Sequence, residues 1–437
     1  MKSGARLLAV FILVMLLAYP WQGKAGNEDS ARMQWFADAK LGIFIHWGIY
    51  SVKGIDESWS FFNGYTSHEN YLEQLKGFTA DRYNPDGWAA LIKGSGARYA
   101  VLTTKHHDGV ALWDTRTNAL NVAQHTPAAT DMVGPLVNAL RKEGVRVGLY
   151  YSLPDWSHPD YPLKARDQFR YQKDSVRFNK FLAVQRDQLD ELMKRYEPDL
   201  IWFDGDWEHS AAEWKSPEIK MHLLNINPNL IVNSRLQGYG DYATPEQGVP
   251  ITRPEAPYWE LCLTMNDSWG YQKTDHNYKS ANQIINIFAD CIGMGGNLLL
   301  DIGPKPDGTI PDEQVALLKE LGRWTKKHER AIFGTTAGIA PGYFNGPTTL
   351  SKDHRTLYLF ISGRPNGPVA LKGLKSNIAH VRLVGDGNSL NYNINGKAWW
   401  SEVPGILYID LPEELCDSQI SIIAVTLREP VDMFIER

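Results

Sequence analysis

Asp199-Leu-Ile-Trp-Phe-Asp-Gly-Asp-Trp207 is the stretch on which the reading of this chain turns. Its apolar run, Leu200 to Phe203, ends in a carboxylate, Asp204, followed at once by Gly205. Strand side chains alternate between faces, so Leu200, Trp202 and Asp204 share one of them. In a closed parallel barrel that face points inward, and chemistry sits at the C-terminal ends of the strands. An indole and a carboxylate there suit a sugar ring stacked on Trp202 and attacked by Asp204.

On either side of this strand, β-rich runs alternate with amphipathic helical stretches from residue 30 to about 330. The pattern predicts strands at 41–46, 99–104, 145–152, 200–204, 230–234, 259–265 and 297–302, with helices at 85–94, 132–143, 178–196 and 281–292. This is an α/β chain whose first large unit, 26–335, is a slightly irregular (β/α)8-like barrel. Residues 235–258, rich in Gly, Pro and Thr, read as a functional loop. Short alternating runs at 357–361, 369–371, 380–383, 406–411 and 420–426 then predict a C-terminal antiparallel β-sandwich over 336–437. It either binds glycan or caps the barrel.

The N-terminus has a basic head, Met1 to Arg6, and a short apolar run, Leu7 to Tyr19. Small residues Gly23 and Ala25 follow at the cleavage-critical positions, so 1–25 reads as a secretory signal and the chain as periplasmic or secreted. The run is too short for a comfortable membrane span. Three cysteines, Cys262, Cys291 and Cys416, are too few and scattered for a disulfide framework. A net charge of −5 gives no pull toward nucleic acid or anionic membrane. Fifteen Trp and 20 Tyr serve mainly as core mass, yet flat aromatic surface also suits pyranose C–H faces.

Polar residues gather where five successive strands end: His46-Trp47, Lys105-His-His-Asp-Gly109, Tyr150-Tyr-Ser152 with Asp155 beyond, Trp202 with Asp204, and Asn233-Ser-Arg235. Packing alone does not produce that series. Three imidazoles, His46, His106 and His107, raise a zinc site as an alternative. Adjacent strand residues point to opposite faces, however, and the His-X-His spacing is absent, so no metal and no cofactor is expected. Neutral imidazoles bonding sugar hydroxyls, or structural histidines tying down loop backbone, remain the competing roles. A glycosidase needs a second carboxylate, about 5–5.5 Å from the first for retention and about 6.5–9.5 Å for inversion. Glu246, Glu255 and Glu260 are the downstream candidates. Glu246 falls in the long loop, where a mobile proton donor could close over the leaving group, and Glu260 falls in a strand, where a structural bond is expected.

Gly42-Ile-Phe-Ile-His-Trp-Gly48, Lys105-His-His-Asp-Gly109, Gly148-Leu-Tyr-Tyr-Ser152, Trp202-Phe-Asp-Gly205 and Asn266-Asp-Ser-Trp-Gly-Tyr271 occur in this order. With Asn297-Leu-Leu-Leu-Asp-Ile-Gly-Pro304 and Pro306-Asp-Gly-Thr309, the chain resembles the α-L-fucosidases of glycoside hydrolase family 29 over nearly all of residues 30–335. The resemblance implies barrel-plus-sandwich architecture and metal-free cleavage with retention. It makes Asp204 the nucleophile and Glu246 the acid/base, with Glu260 in reserve. His46, His106, His107, Tyr151 and Arg235 would bind fucose hydroxyls, Trp59 would join them, and Trp269 would wall the C5 methyl. The implied substrate is a fucosylated oligosaccharide or glycoconjugate. An α-L-galactosidase, or a silent glycan-binding protein, is the alternative. Two positions depart from the family pattern. Ser58 stands where Glu precedes the Trp, with Glu57 one place off, and Asp301 stands where Asn is usual. Asp301 is expected either to bond its loop or to raise the acid's pKa by repulsion.

Overall fold

The computed structural model describes residues 25–435 apart from Asn118 and Ala398; the signal read at 1–25 lies outside these residues but for Ala25. Seven parallel strands form one sheet: β1 (Leu41–Ile45), β2 (Tyr99–Lys105), β3 (Arg146–Ser152), β4 (Leu200–Asp204), β5 (Ile231–Val232), β6 (Glu260–Thr264) and β7 (Asn297–Ile302). Their order is β5-β4-β3-β2-β1-β7-β6. The strands feed two separate apolar cores. Phe44, Val101, Tyr150, Trp202, Cys262 and Leu299 pack together with Met33 and Phe36 of the helix Ala25–Ala39. Ile43, Leu102, Leu149, Ile201, Leu263 and Leu300 belong to the other core, with the surrounding helices. That division is the inward and outward alternation of a barrel. The helix Ala25–Ala39 closes the N-terminal end, where Asn297 Nδ2 donates to Phe36 O at 2.8 Å.

The gap between β5 and β6 is filled, although not by a regular strand. Segment 241–247 is bridged in parallel to Asn233 at Tyr242, to Trp259 at Ala243 and to Cys262 at Glu246. The Asp241 carboxylate anchors its start, accepting from Arg32 at 2.8 Å, Lys220 at 2.7 Å and the Val232 N–H at 2.8 Å. Farther on, the Cys262 N–H donates to Pro245 O at 3.1 Å and the Gln247 N–H to Cys262 O at 2.9 Å. Proline supplies no N–H, so a continuous ladder cannot form here. The stretch expected as a long loop thus carries an irregular eighth stave.

Local chemistry explains the helices. Asn84 caps Pro85–Gly94 through the Gly87 N–H at 2.9 Å, with proline in the first turn where its missing donor costs nothing. Asp174 caps Ser175–Tyr196 three residues earlier than the periodicity suggests, and Ser280 with Gln283 forms a capping box for Ala281–Gly293.

Beyond the barrel lie β8 (Thr336–Ala337), β9 (Thr348–Leu350), β10 (Thr356–Ser362), β11 (Val369–Lys372), β12 (Ile378–Leu383), β13 (Tyr392–Asn395), β14 (Ile406–Ile409) and β15 (Ile420–Leu427). They form antiparallel sheets of order β12-β15-β10-β9-β8 and β11-β14-β13. Leu357, Leu359, Val381, Leu371, Leu407 and Ile423 make the core of this sandwich. Its other contact is with the barrel: Phe360, Ile420 and Ile422 join the strand–helix core, and Trp324 Nε1 donates to Ile420 O at 2.8 Å. No helix among the described residues is long and apolar enough to cross a membrane.

Candidate active site

At the C-terminal ends of the strands the inward series turns polar. Ser152 pairs in register with Asp204, and Thr264 with Asp301. Asp204, 8% exposed, accepts from Tyr150 Oη at 3.0 Å and from Arg235 Nη1 at 2.9 Å. His107 Nε2 stands 3.6 Å from the same carboxylate. Arg235 is delivered by the end of β5, where Asn233 replaces the ladder. Its side-chain oxygen accepts the Phe203 N–H at 2.8 Å and its amide donates to Phe203 O at 2.9 Å.

The second nitrogen of the same guanidinium, Nη2, donates to Glu246 Oε2 at 2.5 Å. One planar fork therefore spans both carboxylates, with Asp204 nearly enclosed and the Glu246 side chain 40% exposed. Burial opposes the Arg235 charge, yet Asp204 and Glu246 together keep its pKa above the ordinary value. Glu246 is not on a mobile loop: its two neighbours are bonded to Cys262, so it projects from the eighth stave. Bonds on both sides hold it where a free loop would sample many positions.

The three histidines come together. Ring centroids of His46 and His106 are 6.2 Å apart, and those of His106 and His107 are 4.4 Å apart. Each Nδ1 is engaged from behind: Asp301 at 2.6 Å for His46, Ser58 Oγ for His106, and Ser152 Oγ at 2.6 Å for His107. That leaves Nε2 of His46 and of His106 for a ligand, with Nε2 of His107 turned toward Asp204. Burial drives the His46 and His106 pKa values well below the ordinary range and that of His107 down to about 3, with Lys105 and Arg235 adding to the last. Burial therefore favours the neutral form of all three rings. Among the described residues no group of three or more His, Cys, Asp or Glu is arranged to hold a metal ion. Asp301 supports His46, and burial, with Glu57 nearby, raises its pKa well above the usual carboxylate value. Burial thus favours the net-neutral pair, in which Nε2 of His46 carries a proton and donates.

Trp269 lies against His46 with centroids 4.9 Å apart and meets Phe44 at 6.0 Å, forming an apolar wall. The Gly270 N–H beside it donates to Glu57 at 2.6 Å. Glu57, pushed up to about 7 by burial, serves this loop, and its neighbour Ser58 serves His106. Trp59 packs near His107, at 5.7 Å.

Two expectations change, those for Tyr151 and Trp202. Tyr151 faces away from the site: its hydroxyl donates to Gln188 at 2.7 Å and its ring covers Lys105 Nζ at 4.4 Å. The register pairs Tyr150 with Trp202 and Tyr151 with Phe203, so Tyr150 is the inward tyrosine. Trp202 is only 2% exposed. Arg235 covers it at 4.6 Å and Tyr150 stacks on it at 5.6 Å, which makes it a floor beneath the guanidinium rather than an open platform. Glu260 opens β6, at the opposite end of the barrel from Asp204, and accepts from Tyr99 Oη and from Trp202 Nε1 at 3.0 Å. A Cβ on Gly42 would lie 2.4 Å from the Tyr99 ring, so glycine there lets that ring cross the barrel floor. Glu260 is buried there and makes the structural bonds expected of its strand position. Sequence reasoning missed Tyr150, for want of the cross-strand register that a single strand does not reveal, and Ser58, whose bond to His106 spans 48 residues from the start of a short helix.

Comparison with known proteins agrees with this geometry. The family model described as alpha-L-fucosidase matches residues 19–330. Tissue alpha-L-fucosidase of Mus musculus is 32% identical over 415 residues, covering 87% of each chain, and the alpha-L-fucosidase of Dictyostelium discoideum is 31% identical over 83% of this chain and 85% of its own. Among solved structures, alpha-L-fucosidase isoenzyme 1 from Paenibacillus thiaminolyticus superposes with a TM-score of 0.83 at 32% identity, covering 92% of this chain and 100% of that one. A trapped covalent intermediate of the Bacteroides thetaiotaomicron enzyme with 2-fluoro-fucosyl fluoride gives 0.81 at 26% identity, covering 91% and 96%. The chain belongs to the α-L-fucosidase family, glycoside hydrolase family 29, and is a glycoside hydrolase.

Proposed function

We propose that this enzyme is a retaining exo-α-L-fucosidase, with Asp204 as nucleophile and Glu246 as acid/base. The observation that carries the reading is the single guanidinium of Arg235 bonded to both carboxylates at the C-terminal mouth of the barrel. An Asp204 oxygen attacks the anomeric carbon as the glycosidic oxygen leaves with a proton from Glu246. A water that gives its proton to Glu246 then attacks the same carbon, freeing Asp204 and L-fucose. Arg235 bonds Glu246 in the free enzyme, so bound substrate must replace that contact before Glu246 can deliver a proton. His46, His106 and His107, held neutral by burial, would take the fucose hydroxyls, and Trp269 the methyl. The N-terminal leader supports export to the periplasm or beyond. The first-formed anomer from an aryl α-L-fucoside, followed by NMR with and without EDTA, tests the reading. α-L-Fucose first, unaffected by chelation, is expected; β-L-fucose first would mean inversion and remove Asp204 from the nucleophile role.

A further inference from the structure

Three residues beyond Asp204, the indole of Trp207 stands 52% exposed. Single exposed apolar residues are common and need no function. This one differs because its neighbours are tied down on both sides. Gly205, at φ +81°, turns the chain out of β4. Asp206 accepts the Gln237 N–H at 2.6 Å, and its carbonyl accepts Gln237 Nε2 at 2.5 Å and Trp214 Nε1 at 2.9 Å. Glu208 accepts Trp156 Nε1 at 2.8 Å and Tyr161 Oη. Five hydrogen bonds thus fix the short turn that presents the indole to solvent.

The indole also has a defined relation to the site. Its ring is within 15° of parallel to that of Trp59, with centroids 6.3 Å apart, and it meets His107 edge-on at 6.0 Å. His107 in turn reaches Asp204. Trp207 is thus the exposed member of an aromatic set whose other rings, His46, His106 and His107, are buried, and a ring attached to fucose must emerge toward solvent. A flat, rigid indole there would cover the C–H face of a pyranose while leaving its hydroxyls in water.

We propose that Trp207 is the platform for the first sugar on the leaving-group side, a neutral hexopyranose. This rests on the fucosidase reading above. Trp207 is then a specificity residue: it selects glycan aglycones and adds nothing for a leaving group without a ring.

The test compares α-L-fucosyl fluoride, which has no aglycone ring, with fucosyllactose or a fucosylated N-acetylglucosamine disaccharide, whichever the wild type cleaves faster. Wild type, Trp207→Ala and Trp207→Phe are assayed, with thermal melts to establish folding. For Trp207→Ala, kcat/KM on the oligosaccharide should fall about tenfold or more relative to the fluoride, mainly through KM, and Trp207→Phe should recover most of the loss. No loss on either substrate, or equal losses on both, overturns the proposal, the second outcome marking Trp207 as a prop for Trp59 and His107. Failure of the wild type to hydrolyse fucosyl fluoride would instead strike the activity itself.

Discussion

Two glutamates on neighbouring staves, Glu246 and Glu260, meet opposite fates at the two ends of one barrel. Glu260 sits at the closed end with both oxygens bonded, to Tyr99 and Trp202, and burial pushes its pKa up to about 7. Glu246 sits at the open end, half exposed, on a guanidinium that also holds Asp204. The residue type is the same; what differs is access. A carboxylate whose partners are complete stabilises the fold, and one whose partner can be exchanged for substrate is available for chemistry. The same contrast separates Tyr150 from Tyr151, adjacent in sequence and on opposite faces of β3.

The strongest way to break this comparison is at the open end. Asp204→Ala is expected to lower kcat/KM on an aryl fucoside by roughly 10⁴-fold while the melting temperature shifts by only a few degrees. Retention of more than a few per cent of activity would show that the carboxylate on Arg235 is not the nucleophile. Glu246→Ala should cost about 10²–10⁴-fold on an oligosaccharide and far less on fucosyl fluoride, whose leaving group needs no proton. Equal losses on the two substrates would mean Glu246 is no acid. The tyrosines sharpen the comparison within one strand. Tyr150→Phe removes a donor to Asp204 and should lower kcat about tenfold, whereas Tyr151→Phe removes a bond to Gln188 and should appear as about 1 kcal/mol of lost stability in urea melts.

The smallest effect belongs to the closed end. The Glu260 pKa, ordinarily 4.5, is raised in the folded protein to about 7 by burial. Between those values the folded state holds a proton that the unfolded chain has released, so the stabilisation is full below the lower value and is lost as pH rises through the higher. The stability advantage of wild type over Glu260→Gln should therefore shrink from pH 5 to pH 8, by about 3 kcal/mol at most. Urea melts at the two pH values measure it, and a gap that is constant or grows would refute the assignment. The neutral histidines titrate in both proteins and cancel from the difference.

Most of the barrel was legible because its strands are continuous apolar runs between capped helices, and six of the seven lie within one residue of their expected ends. β5 shrank to two residues because Asn233 takes over the pairing with its side chain. The eighth stave was not legible: Pro245 and the polar residues around it carry no alternation, and only three bridges hold it. In the sandwich, β13 escaped for a different reason: it is four residues long and exposed at every position, so no buried apolar face marks it. Asp204, Arg235 and the histidines could be read from their places at strand ends. Tyr150 could not, because choosing between two adjacent tyrosines requires the register of β3 on β4. Asp301 was expected to bond its loop or to repel the acid, and what it does is hold His46, a contact across 255 residues.

The most direct measurement is covalent. The enzyme is incubated with a 2-fluoro-fucosyl fluoride, quenched, digested and mapped by mass spectrometry. A single 2-fluoro-fucosyl label on Asp204, absent from Asp204→Ala, is the predicted result. A label on another carboxylate, or complete turnover with no ester at any time, would contradict the assignment of Asp204 as nucleophile.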